Sequence, residues 1–416
     1  MKYVFYYDEI FHDRKISVKD NELNVLRSDG FDNYIGCFCG FQQKELLNVI
    51  DELSNFELKY RQKFGISKES ELKSTVVSEK HYKYGLKSFN KLDYEFYTDY
   101  FTLLNKLNTI IQINVLNKVE FLIHRLILNT NSNFWYGFNL KSFIYSFTKF
   151  FVIYGNKDLF NSFSNVKDKN TALSFKNELL RNIDIVIDNI TGISRKKKEL
   201  SAFIEMRIII TSFDFEGVIY ENMNFVYEPN FGGLCKLLNE LEISPKEVKI
   251  TIDNEENVFN ASKHYKFGIT KQADSKNVIQ LRFVDILCGF IGRMMRAITI
   301  DESRQEDSIE YISDIEKNDL STLRIISESW FDINEKTFNF YLLVYDALIV
   351  RHEYYWTTMT MIYGDDVIAF YSLLRYFAIY DNYENYKKVK FEDHRKCYNS
   401  MCIEELSNYY KGFEQM

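Results

Sequence analysis

Four carboxylates stand apart from the other acids of this chain because of their neighbours. Asp8 closes MKYVFYYD, an apolar run in which Tyr3, Phe5 and Tyr7 alternate with Val4 and Tyr6, the two-residue period of a strand. Asp253 closes a second run, in which Val248, Ile250 and Ile252 alternate with Lys249 and Thr251. Asp285 lies inside the apolar stretch VIQLRFVDILCGFIGRMMRAI, and Glu71 opens ELKST. A carboxylate in apolar surroundings is costly unless a cation compensates it. For Asp285 one compensation is local: Arg282, one helical turn earlier, is spaced to pair with it. The other is collective. Acids that converge repel one another unless hard cations fill the space, which suits Mg²⁺ or Mn²⁺ with oxygen ligands. Two such ions about 3.5–4 Å apart activate a water and stabilise the leaving oxygen of a phosphodiester.

Strands and helices must bring these acids together. Beside the runs ending at Asp8 and Asp253, NYIGCFCGFQ (33–42) and NTIIQINVL (108–116) read as strands. Helical spacing marks 44–64, where Leu46, Leu47, Ile50, Leu53, Phe56 and Tyr60 recur, and a stretch near 92–107. From about 118 to 240 the pattern is mostly helical. On the helix carrying Asp285, an apolar stripe runs through Val284, Leu287, Cys288, Ile291, Met294 and Met295. Asp285, Gly289, Gly292 and Arg296 share another strip, where the glycines admit a second backbone. FGG (231–233) lacks the spacing and the Lys-Ser/Thr of a phosphate loop and reads as a turn opening LCKLLNEL. Residues 301–319 read as an acidic linker, and 320–416 as helices rich in Tyr and Phe.

At the residue level YYDE (6–9), ELKST (71–75), ITIDNE (250–255) and DSKNVIQLRFVDILCGFI (274–291) resemble domain of unknown function 3800, a bacterial and phage family with an expected ribonuclease H-like fold. The family pattern of Asp-Glu, Glu-x-Lys, a later Asp, Asp-Ser and Gln-Leu-Ala-Asp looks like Asp8-Glu9, Glu71 with Lys73, Asp253, Asp274-Ser275 and Arg282 to Asp285. Ile10-Phe11 replaces Ser-Gly after the first pair, and Arg282 replaces Gln. The resemblance implies an α/β fold with a mixed sheet: a ribonuclease H-like core from 1–117 and 245–300, an all-helical insertion at 118–244 and a helical C-terminal region at 301–416. It implies that Asp8 bridges two ions, Glu71 and Asp253 bind one, and Asp285 the other. Lys73 or Lys276 would neutralise a scissile phosphate. The implied activity is a metal-dependent nuclease acting on RNA or DNA, with anti-phage defence as a setting. The competing reading is a non-catalytic scaffold whose aromatic helices bind a protein partner or a second copy. A third is metal-assisted binding of a phosphorylated small molecule.

Composition narrows the field. The chain is 46% hydrophobic with a formal charge of −7, which argues against a generally basic, nucleic-acid-coating surface but leaves room for a local groove. RKKK (195–198) and KKVK (387–390) read as solvated helix ends or loops before they read as phosphate guides. The six cysteines are scattered and read as free thiols of a reducing cytoplasm. His394, Cys397 and Cys402 come nearest to a zinc pattern but lack a fourth ligand nearby. His12 reads as a loop residue near the acids and His124 as a helix residue, while His352 falls in the C-terminal region. Glu9 points away from Asp8 along a strand, and Asp32, Asp51 and Asp99 read as solvated. No uncharged run is long enough to span a membrane.

Overall fold

The computed structural model describes residues 1–11, 15–16, 18–19, 22–23, 32–67, 69–128, 139–215, 223–224, 227–308, 325–351, 357–359 and 362–414. Alternating apolar runs become the first four strands of one six-stranded mixed sheet: β1 (Tyr3–Ile10), β2 (Asn33–Gln42), β3 (Ile110–Asn117) and β4 (Val248–Ile252), joined by β5 (Ile269–Gln272) and β6 (Thr357–Met359). Their order is β5-β4-β1-β2-β3-β6. β2 runs antiparallel to both β1 and β3, whereas β4 is parallel to β1, β5 to β4 and β6 to β3. β1 is therefore interior, with bulky residues on both faces, as its sequence requires.

Helices cover each face. On one lie α1 (Leu46–Phe64), α2 (Lys91–Lys106) and, from the middle of the chain, α3 (Lys118–Leu128), α4 (Leu140–Tyr154), α5 (Lys157–Ser164), α6 (Lys169–Ile190), α7 (Lys197–Ser212), α8 (Glu228–Glu240) and α9 (Glu256–Ser262) on the other. α10 (Ile279–Ser308), α11 (Glu335–Tyr345), α12 (Asp365–Ala378), α13 (Tyr383–Tyr386) and α14 (Phe391–Glu414) return to the face of α1 and α2. Val4, Tyr6, Ile35, Cys37, Ile111 and Ile113 point into the core of that first face. Phe5, Tyr7, Phe38, Leu116 and Ile250 point into the second. Helices thus form a layer on each face of the sheet, and strand alternation assigns each residue to one layer or the other.

Several expectations need correction. FGG is no turn: Gly232 and Gly233 lie inside α8, which starts with Pro229 in its first turn and buries Phe231, Leu234, Leu237 and Leu238. The start of the supposed linker is the last part of α10, and Asp301 and Glu302 are buried there. Asp301 accepts the N–H of Ser327 at 2.6 Å and the indole N–H of Trp330 at 3.0 Å. Asp32 is buried rather than solvated. The C-terminal region is not wholly helical, because it supplies β6.

Candidate active site

The parallel register of β1 and β4 ends with Tyr7 opposite Ile252. One residue further come Asp8 and Asp253, where β4 has ended while β1 continues beside β2 to Ile10. Asp8 follows Val4 and Tyr6 onto the face covered by α10, while Glu9 turns to the other face and accepts the Tyr34 hydroxyl at 3.3 Å. Asp8 therefore stands at the point where β1 loses its parallel neighbour, with two more residues of β1 still paired to β2.

Asp285 meets that spot from above. α10 packs along β1, and the Cys288 thiol, one turn after Asp285, donates to the carbonyl of Asp8 at 3.2 Å. Gly289 explains how Glu71 and Lys73 come close. A Cβ there would lie 2.1 Å from Cβ of Ser74, so only glycine lets the short helical turn Ser74–Val76 lie across α10. Ser74 is gripped at both ends of its backbone: its N–H donates to Asp285 Oδ2 at 2.5 Å, and its carbonyl accepts from Arg293 Nη1 at 2.8 Å. Upstream in the same segment, Lys73 Nζ sits 3.2 Å from Glu71 Oε2. The other oxygen, Oε1 of Glu71, is buried and has no hydrogen-bond partner among the described residues.

One oxygen of each aspartate is held by a backbone N–H. Glu9 donates to Asp8 Oδ1 at 2.8 Å; Asn254 and Ser275 donate to Asp253 Oδ1 at 2.8 and 3.2 Å; Ser74 holds Asp285. The electrostatics register the crowding. Burial, then the charges of Asp285 and Glu9, lift Asp8 well above the usual carboxylate range; the Glu9 N–H opposes this and Asp253 adds to it. Burial also raises Asp285, against the Ser74 N–H and the charges of Lys73 and Arg293. Burial works against the ammonium of Lys73, yet Glu71, Asp285 and Asp8 together raise its pKa. Lys73 is the cation paired with a carboxylate of this group. Lys276 is exposed in the turn beside Asp253, its N–H held by Asp274 Oδ1 at 2.8 Å.

The local pairing expected for Asp285 does not form. Arg282 instead reaches α1, where Nη2 and Nε lie 2.6 and 3.1 Å from Glu57 Oε2. Its Nη1 donates to the carbonyls of Ser275 and Lys276. Glu57 is buried beside Leu53, Phe56 and Tyr60 on α1, an inward position that the spacing does not link to Arg282. The contacts of Ser74 and Cys288 escaped sequence reasoning because a backbone or thiol contact leaves no composition signal, and Ser275 enters only as part of the family pattern. Arg296 pairs with Glu79 instead of facing the acids.

The remaining described candidates have other partners. His12 and His352 lie outside the described residues. His124 pairs with Glu120 at 3.0 Å. His394 is buried among Tyr376, Tyr386 and Phe331, and burial pushes its pKa down to about 4. Asp99 accepts the Tyr60 hydroxyl at 2.6 Å. In the basic runs, Lys196 bonds the hydroxyl of Tyr154 and Lys387 pairs with Glu384. Among the described residues, no three His, Cys, Asp or Glu side chains form a ready-made metal cage, and no helix is long and apolar enough to cross a membrane. No family model, curated protein or solved structure matches the chain.

Proposed function

We propose that this chain is a metal-dependent nuclease with a ribonuclease H-like core, related to domain of unknown function 3800, that hydrolyses phosphodiester bonds of RNA or DNA. What carries this reading is the grouping of Asp8 and Asp253, where the parallel pairing of β1 and β4 stops, with Asp285 of α10 and the Glu71–Lys73 pair. The sheet supports it: β1 is interior, with an antiparallel neighbour on one side and a parallel one on the other. Ligand sites of α/β sheets favour the carboxyl ends of strands.

The donor set fits Mg²⁺ or Mn²⁺. It is all oxygen, its charges repel without a cation, and the buried Glu71 Oε1 lacks a partner among the described residues. Asp8, Glu71, Asp253 and Asp285 would hold the ions, which when bound supply an activated water and charge stabilisation at the leaving oxygen. The chain's own residues prepare the ground. Backbone N–H groups fix one oxygen of each aspartate and so orient the carboxylates before anything binds. Lys73 would balance a phosphate oxygen once Glu71 has another partner, and Lys276 would meet the backbone at the rim.

The test is cleavage of single- and double-stranded RNA and DNA by the purified chain in Mg²⁺, Mn²⁺ or chelator, beside Asp8→Asn and Asp253→Asn. Metal-dependent cleavage that falls at least about 100-fold in both variants is expected. Equal cleavage by the variants, or none by any of the proteins, overturns the proposal and leaves the scaffold reading.

A further inference from the structure

We infer that Arg282 is a positioning residue for the carboxylate site, a strut that fixes Asp253 opposite Asp8; this rests on the metal reading above. The Arg282 side chain is 11% exposed, and its rigid fork of donors spans three parts of the fold. Two nitrogens grip Glu57 Oε2 on α1 at 2.6 and 3.1 Å. Nη1 grips the carbonyls of Ser275 and Lys276, the latter at 3.1 Å. Glu57 is itself steadied through its other oxygen by Arg61, at 3.1 Å.

Ser275 is the hinge of the argument. Its carbonyl is held by Arg282, and its N–H donates to Asp253 Oδ1 at 3.2 Å. One peptide segment therefore carries the position of a guanidinium rooted in two helices to a carboxylate at the end of β4. Among the described residues the only other donor to the Asp253 carboxylate is its own neighbour Asn254, so loss of the Ser275 N–H loosens its orientation toward Asp8. Groups that orient a ligand in this way typically change metal affinity about 10–100-fold when removed.

The experiment uses Arg282→Gln and Arg282→Lys in the full chain, with two readouts. Hydrogen exchange of the metal-free protein over residues 273–278 reads the strut directly. Calorimetric titration with Mn²⁺ reads its effect on the site. Lysine retains the ion pair with Glu57, but one ammonium does not reproduce the fork. R282K is expected to unfold at the wild-type temperature, yet to exchange faster in this turn and bind Mn²⁺ about tenfold more weakly. R282Q is expected to show the larger loss, up to about 100-fold. Unchanged exchange and affinity in R282K, or a lowered melting temperature with affinity intact, overturns the inference and leaves the metal reading standing. Absence of Mn²⁺ binding by the wild type overturns both, whatever the exchange shows.

Discussion

Two effects act on the Asp8 carboxylate in the same direction: loss of water and the nearby charge of Asp285. Both disfavour ionisation. In the unfolded chain Asp8 loses its proton near pH 3.9; in the native chain it does so at higher pH. Between those values the native state holds a proton that the unfolded state lacks, so metal-free stability falls as pH rises through that window. Asparagine at this position still accepts the Glu9 N–H without bearing charge. Asp8→Asn is therefore expected to melt about 2 °C or more above wild type at neutral pH in chelator, with a flatter pH dependence above pH 4. Saturating Mn²⁺ should reverse the order, because wild type gains a ligand-linked increment that the variant largely lacks. Calorimetric scans across pH, with and without Mn²⁺, check both statements; a wild-type advantage in chelator would count against repulsion at this site. Asp8, Asp253 and Asp285 were legible because an acid ending or interrupting an apolar run is conspicuous. The partner of Arg282 was not. Spacing offers Asp285 three residues away, whereas Glu57 lies 225 residues away in the chain and becomes a neighbour only when α1 packs on α10.

At the scale of elements, α10 was the most readable because its apolar stripe is long and its glycines have a local purpose. The close approach at Gly289 can be tested against a glycine with no such duty. Alanine ordinarily stabilises a helix interior by about 1 kcal/mol over glycine. At Gly289 the added methyl would meet Cβ and Oγ of Ser74 at 2.1 and 2.3 Å, and overpacking of this kind costs about 1–3 kcal/mol. It would also push away the N–H that holds Asp285. In α8, a methyl at Gly232 meets only the Tyr265 side chain, with the hydroxyl 3.3 Å away. Chemical denaturation in chelator should find Gly289→Ala destabilised by roughly 1–2 kcal/mol and Gly232→Ala within about 1 kcal/mol of wild type. Equal stabilities would remove the reason given for Gly289. The misreading of FGG has the same root: two glycines signal a turn, but Phe231, Leu234 and Leu238 keep helical spacing through them, and burial of that stripe wins. β5 was missed for the opposite reason. It is an edge strand, ITKQ, with no residue fully buried, so it carries no alternation to read.

The whole molecule is a sheet between two helical layers, and this was the least legible level. An amphipathic pattern announces that a helix face will be covered without naming what covers it. The C-terminal helices therefore read as a separate region, whereas Trp330, Phe331, Phe338, Tyr341 and Phe377 share one core with Tyr97 of α2 and Phe290 of α10. The seam is specific. Gly85, at φ 59°, makes room for the Trp330 ring, and the Tyr341 hydroxyl accepts the N–H of Leu86 at 3.2 Å. Burying an aromatic side chain of this kind contributes about 1.5–3 kcal/mol, so five of them amount to roughly 10 kcal/mol, comparable with the entire net stability of a folded domain. A chain ending at residue 324 would leave the stripes of α2 and α10 bare and remove β6 from β3. It is expected to keep helical far-UV dichroism, lose near-UV dichroism and bind a hydrophobic dye, the signature of collapse without fixed packing. Cooperative unfolding of that fragment with native near-UV dichroism would mean that the carboxylate-bearing core stands without its C-terminal layer. The expected outcome ties the two together: Asp285 sits on a helix that packs against α12 as well as β1 and α1, so the geometry of the acids depends in part on packing contributed by residues that carry no chemistry themselves.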